Sequence, residues 1–194
     1  MRYKILSVLA ASAALAPFMA QAEDLSYTYV EAGYLTTNFD EFNESLGGFG
    51  LRASIEITDK FFAFGTYADQ KTDVAGYDIK FQPWELGVGY AYPITDSVDL
   101  YGTVGYISVD ADAPSFVANT EDDGYQLGVG LRTRFAERFE VEGVAQYQNL
   151  SDFGDEIQFD FMGRWYVIEH LALGLGYSVG DETDTFAGSV RWEF

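Results

Sequence analysis

The chain predicts an all-β fold, a transmembrane antiparallel up-and-down barrel of about ten strands with eight as the alternative. Three observations predict it. Apolar and polar residues alternate in repeated segments of about ten residues, turn-forming stretches separate the segments, and charges gather on the less apolar of the two faces. No run in the body of the chain is apolar for long enough to cross a bilayer as a helix.

The first residues carry a separate message. Met1-Arg2-Tyr3-Lys4 brings two positive charges, Ile5 to Met19 is apolar or small, and Ala20-Gln21-Ala22 closes the run with small residues. This order predicts a secretory signal over residues 1–22, cleaved to leave a domain of residues 23–194 beginning at Glu23. A membrane anchor fits less well, because the run is short and Pro17 interrupts it.

Strands are expected near 25–36, 48–57, 61–70, 81–92, 98–109, 123–135, 139–149, 157–167, 171–180 and 185–194. The alternation is clearest in four of them. Phe49, Leu51, Ala53, Ile55 and Ile57 oppose Gly50, Arg52, Ser54 and Glu56. Trp84, Leu86, Val88 and Tyr90 oppose Glu85, Gly87 and Gly89. Tyr125, Leu127, Val129 and Leu131 oppose Gln126, Gly128, Gly130 and Arg132, while Leu171, Leu173 and Leu175 oppose Ala172, Gly174 and Gly176. A helix would drive these charges into its apolar stripe. The segment 61–70 leaves its lipid-facing parity open, because Phe61, Phe62, Phe64 and Tyr67 span both faces.

The connections alternate between short turns at 58–60, 93–97, 136–138 and 168–170 and longer polar stretches at 37–47, 70–80, 110–122 and 149–156, with a brief 180–184. Outer-membrane barrels keep short turns in the periplasm and longer loops outside. Both ends of the barrel chain then lie on the periplasmic side, which requires an even strand count. Tyr34, Tyr92, Tyr106, Tyr147, Trp165 and Trp192 sit towards strand ends, where an aromatic girdle belongs. An exported soluble sandwich is the competing fold.

Tyr29-Val30-Glu31-Ala32-Gly33-Tyr34, Phe64-Gly65-Thr66-Tyr67, Trp84 with Gly87-Val88-Gly89-Tyr90, and the terminal Val190-Arg191-Trp192-Glu193-Phe194 carry a family resemblance. The chain resembles the small Gram-negative outer-membrane barrels once discussed as quorum factors. The likeness extends over most of the mature chain and rests on general barrel grammar. It implies a bacterial outer-membrane location and no catalytic residues. The ending, with Trp192 and Phe194, is similar to the signal by which the outer-membrane assembly machinery recognises its clients.

Composition narrows the function. A formal net charge of −20 disfavours nucleic acid, whose phosphates need clustered Lys and Arg. The chain has no Cys and one His, His170, placed beside Glu169 in a predicted short turn. A thiol nucleophile is excluded and a zinc site is poorly supported, so no enzyme, metal centre or cofactor is expected. Acid clusters such as Glu121-Asp122-Asp123 and Asp181-Glu182 fall beside the outer connections. They read as a solvated rim, with divalent cations bridging it to lipopolysaccharide phosphates as the functional version.

The inward charges say more. Glu31, Arg52, Glu56, Glu85, Arg132, Arg134, Glu140, Glu142, Asp160, Arg164, Arg191 and Glu193 share the lumen parity. An ion-pair network of Glu31, Arg52, Glu85, Arg132, Glu142, Asp160, Arg164 and Arg191 is expected to fill most of the interior, with Arg132, Arg164 and Arg191 neutralising acids such as Glu85, Glu142 and Asp160. A barrel of about ten strands lies near the size that side chains fill. The inward glycines leave space and favour the alternative, a narrow pore. The expected role is structural or interaction-based at the cell envelope. Porin-like conduction is one alternative, and surface recognition through acidic loops is another. The expected partners are outer-membrane lipid, lipopolysaccharide and the assembly machinery, with the barrel a monomer.

Overall fold

The computed structural model describes residues 25–39, 45–74, 77–112, 120–136, 138–181 and 183–194. The expected signal, 1–22, lies outside the described residues, as do parts of the outer connections. Ten strands follow one another: β1 (Tyr29–Phe39), β2 (Ser45–Glu56), β3 (Phe61–Val74), β4 (Tyr77–Thr95), β5 (Val98–Asp112), β6 (Thr120–Phe135), β7 (Phe139–Leu150), β8 (Gly154–Ile168), β9 (Leu171–Val179) and β10 (Thr183–Glu193). Each pairs antiparallel with its neighbour in sequence, and β1 closes on β10 from Tyr29↔Glu193 to Phe39↔Thr183. Closure removes every sheet edge, which a strand in hydrocarbon cannot leave unpaired. The ten-strand expectation holds, and the eight-strand alternative does not.

The alternation translates into two surfaces. Leu51, Leu86, Val88, Val129, Leu131, Leu173, Leu175 and Val190 point outward and are exposed, Leu175 to 77%. A band of this kind is stable only against lipid. Aromatic pairs bracket it at two heights. Tyr34–Phe49, Trp84–Tyr106, Tyr125–Tyr147 and Tyr177–Phe186 lie towards one end, and Phe61–Tyr90, Phe135–Phe139 and His170–Trp192 towards the other. In β3 the even residues turn inward: Phe62 and Gln70 are buried while Phe61 and Tyr67 are exposed.

The turns at one end are tight and locally bonded. Thr58 Oγ1 accepts from the backbone N–H of Phe61 at 3.1 Å, and Ala136 takes a left-handed φ of 51° to reverse the chain between β6 and β7. At the other end the strands run on past the membrane. The polar stretch 70–80, expected as a loop, is instead the continuation of β3 and β4, and β4 reaches 19 residues. A bilayer crossing needs only about 9–11. Polar residues extend the ladder there because backbone pairing does not depend on apolar side chains. Between Tyr67↔Trp84 and Gln70↔Phe81 the β3–β4 ladder lapses, at Pro83, which has no N–H to donate.

Candidate functional site

Lumen-facing side chains form two distinct environments. Near the short-turn end, five strands deliver arginines or glutamates to one cluster: Glu31 from β1, Arg132 and Arg134 from β6, Glu140 and Glu142 from β7, Arg164 from β8, and Arg191 and Glu193 from β10. Their charges cancel, four against four. Glu140 is the hub. Its Oε1 accepts from Arg164 Nη1 at 2.8 Å and Arg191 Nη1 at 3.3 Å, and its Oε2 from Arg132 Nη2 at 2.8 Å, Arg134 Nη2 at 3.3 Å and the Tyr166 hydroxyl at 2.9 Å. Glu31 is gripped by Arg191 (Nη2 to Oε2, 2.7 Å) and Arg164 (Nη2 to Oε2, 3.0 Å), and Ser189 Oγ donates to its Oε1 at 2.6 Å. Glu142 accepts from Arg164 Nη1 at 2.7 Å and from the Tyr101 hydroxyl. Glu193 accepts from Arg132 and Arg134 at 3.0 and 2.8 Å, and the Tyr166 hydroxyl, whose single proton serves Glu140 or Glu193 but not both at once, lies within hydrogen-bond reach of it as well.

Charge-assisted hydrogen bonds of this density satisfy groups that would be costly alone in the interior. Arene faces complete the packing. The Arg191 guanidinium lies 3.7 Å from the Tyr29 ring centroid and that of Arg134 3.9 Å from Tyr166. Beside the cluster, Tyr27 stacks on Phe62 at 4.5 Å between centroids, with Tyr101, Ala91 and Val144 in the same buried group. The segment leading into β1 is tied down here: Arg132 Nη1 donates to the Ser26 carbonyl at 2.6 Å, and Glu56 Oε1 accepts from the Tyr27 N–H at 2.6 Å.

Inward glycines, expected to leave space, seat these rings. A Cβ at Gly89 would clash with the edge of the Phe62 ring, and one at Gly130 with the phenol end of the Tyr101 ring. Among the described residues the short-turn half therefore has little room.

Towards the long-strand end the lumen opens into a cavity of about 600 Å³. Gln126, Gln146 and Gln158 supply amides to its wall, and Leu35, Ile107, Val109 and Met162 supply apolar surface. Arg52, Glu85 and Asp160 line it as well. Here the expected pairing and the structure part. Glu31, Glu142, Arg132, Arg164 and Arg191 come together, but Glu85 and Asp160 make no ion pair with those arginines among the described residues. Asp160 accepts instead from Gln158 Nε2 at 2.7 Å. The expected set omitted Arg134, Glu140 and Glu193, all of which carry lumen parity. Their signal was position: Arg134 and Glu140 flank the short turn at 136–138, and Glu193 is the penultimate residue, at the end of β10. Trp192 faces outward beside His170, and Phe194 is exposed with its N–H donating to the Thr28 carbonyl at 3.0 Å. Among the described residues no group of three or more His, Cys, Asp or Glu is placed to hold a metal.

A family model of the outer membrane protein beta-barrel domain matches residues 6–194. The chain belongs to that family. This outer-membrane barrel is accordingly a Gram-negative envelope protein. No curated protein matches it in sequence. Among solved structures, it is similar to the NanC porin, with 6% identity, a TM-score of 0.56, and coverage of 85% of this chain and 100% of that one. At that identity the likeness speaks for the fold alone. It is also similar to Ail, the attachment invasion locus protein of Yersinia pestis, solved with the heparin analogue sucrose octasulfate (18% identity, TM-score 0.47, covering 84% and 97% of the two chains). The N-terminal β-barrel domain of Pseudomonas aeruginosa OprF matches at 13% identity and a TM-score of 0.46, covering 87% and 100%.

Proposed function

We propose that this protein is a non-conducting outer-membrane barrel with a structural or interaction role, closed across the periplasmic half of its lumen. The observation that carries the reading is the Glu140 hub, where four arginines from three strands converge on one carboxylate. Hydrated ions do not cross such a cluster without breaking several charge-assisted bonds at once. Tyr27, Phe62 and Tyr101 pack as a buried group beside it, and the space left among them and the cluster is about 30 Å³. The short-turn end is periplasmic by the rule that governs these barrels.

The same reading takes the barrel as a monomer, and it assigns no catalytic role because His170 is exposed in a short turn and no thiol is present. The signal over residues 1–22 exports it and is cleaved after Ala22, and Trp192 and Phe194 present it to the assembly machinery. The acidic outer rim meets lipopolysaccharide through bridging divalent cations.

Planar-bilayer recording on refolded protein tests the closure. The expected trace shows no steady unitary current. Steady ohmic channels would overturn the reading in favour of a narrow pore, the alternative that the cavity above the cluster supports.

A further inference from the structure

Glu85 is 6% exposed, yet among the described residues it accepts no hydrogen bond and has no ion pair within 4.0 Å. Its Oε1 is sealed over Gly105, where a Cβ would sit 2.5 Å from that oxygen. The glycine is a seat for the carboxylate, which holds Glu85 at the cavity wall. Arg52 stands in the same row of the sheet: Arg52 pairs with Thr66, and Thr66 with Glu85. Two strand spacings of about 4.8 Å put their Cα atoms about 10 Å apart. Both side chains line the cavity, and Arg52 too makes no hydrogen bond or ion pair within 4.0 Å among the described residues. Opposite charges thus flank Thr66 without meeting. Asp160 adds a second carboxylate from β8, four strands round the barrel.

Partially desolvated charges of both signs, held too far apart to bond, gain only through-space attraction from each other and, for Arg52, from Glu31 and Glu142. A ligand that touches both adds the contact partner each lacks. A single molecule that does so carries an ammonium for Glu85 and a carboxylate for Arg52. The distance between them calls for a spacer, and Ile107, Val109 and Val144 give that spacer an apolar wall. A cavity of about 600 Å³ accommodates a small organic ligand. We propose that the outer half of the lumen is a blind pocket for a small zwitterion whose ammonium and carboxylate are separated by a short apolar chain. The word blind rests on the closed periplasmic half proposed above.

The test titrates 6-aminohexanoate, hexylamine and hexanoate into the barrel in lipid vesicles by calorimetry. Wild type is expected to bind 6-aminohexanoate about ten-fold more tightly than either singly charged probe, the weight of one charge-assisted contact. Glu85→Gln should abolish the advantage over hexanoate alone, and Arg52→Gln the advantage over hexylamine alone. Gly105→Ala, which displaces the Glu85 carboxylate without removing it, should mimic Glu85→Gln. Equal affinity for the three probes in wild type, or no saturable binding at millimolar concentration, would overturn the proposal even if no variant folded. Flux of 6-aminohexanoate out of loaded vesicles separates the two readings: leakage with the preference intact overturns the closed floor and upholds the zwitterion site.

Discussion

The two halves of the lumen hold the same kinds of charge and treat them in opposite ways. Towards the short turns, Arg132, Arg134, Arg164 and Arg191 share Glu31, Glu140, Glu142 and Glu193 in one bonded cluster. In the cavity above, Arg52, Glu85 and Asp160 face one another without an ion pair among the described residues. The strands and the diameter are common to both halves, so the difference lies in what stands beside the charges. Tyr27, Tyr29, Phe62, Tyr101 and Tyr166 fill the lower half and leave the arginines only the space next to carboxylates. Thr66, Ser178, Ala187 and the glutamines are smaller or more flexible, and the upper half keeps its volume. Pairing in a barrel interior therefore depends on filler as much as on charge. Aromatic rings bring ions together by taking away the alternatives.

Breaking the hub should have the largest effect. Glu140→Ala leaves four arginines short of a shared acceptor and should cost roughly 3–5 kcal/mol, the loss typical of an orphaned buried charge. Unfolding in lipid vesicles measures it. A loss below about 1 kcal/mol, the scale of an exposed pair, would mean that the cluster is as hydrated as the cavity, and the contrast between halves would collapse.

The filler is tested next. Gly89→Ala drives a methyl against the edge of the Phe62 ring, which is itself stacked on Tyr27. Overpacking of this kind costs about 1–3 kcal/mol. The same unfolding assay should place the variant clearly below wild type but above Glu140→Ala. An unchanged midpoint would show that the ring has room to move and that the lower half is looser than its contacts imply.

The smallest effect belongs to the cavity wall. Gln148 lines the open half and is half-buried. Gln148→Ala should shift stability by no more than about 0.5 kcal/mol, as at a solvated position. A loss matching that of Gly89→Ala would mean that the upper half is packed too.

Much of this was legible in the chain. Period-two alternation located every strand, put Arg52, Glu85 and Arg164 on the lumen face, and sent Leu86 and Val88 to lipid. It failed for Phe61 to Tyr67, where aromatics occupy both faces and only the neighbouring strands decide which of them points inward. It also stopped β3 and β4 too early, because polarity marks where the membrane ends and not where the ladder ends. The Tyr27 position was half visible. It continues the parity of Tyr29 and Glu31, but nothing local says that the segment before β1 turns under the lumen.

By itself the sequence determined which residues face inward, since the two-residue period is a property of each strand alone. Partner choice was beyond it. Glu31 lies opposite Arg52 on β2 and opposite Arg191 on β10. It bonds Arg191, and with it Arg164 from β8, while Arg52 is left to the cavity. Either neighbour satisfies the local pattern. What separates them is closure: the register at which β1 meets β10 fixes which guanidiniums stand at the height of Glu31, and the rings beside them fix which can reach it. Register and closure join residues 160 positions apart in the chain, as between Glu31 and Arg191, and no local periodicity encodes a contact of that span.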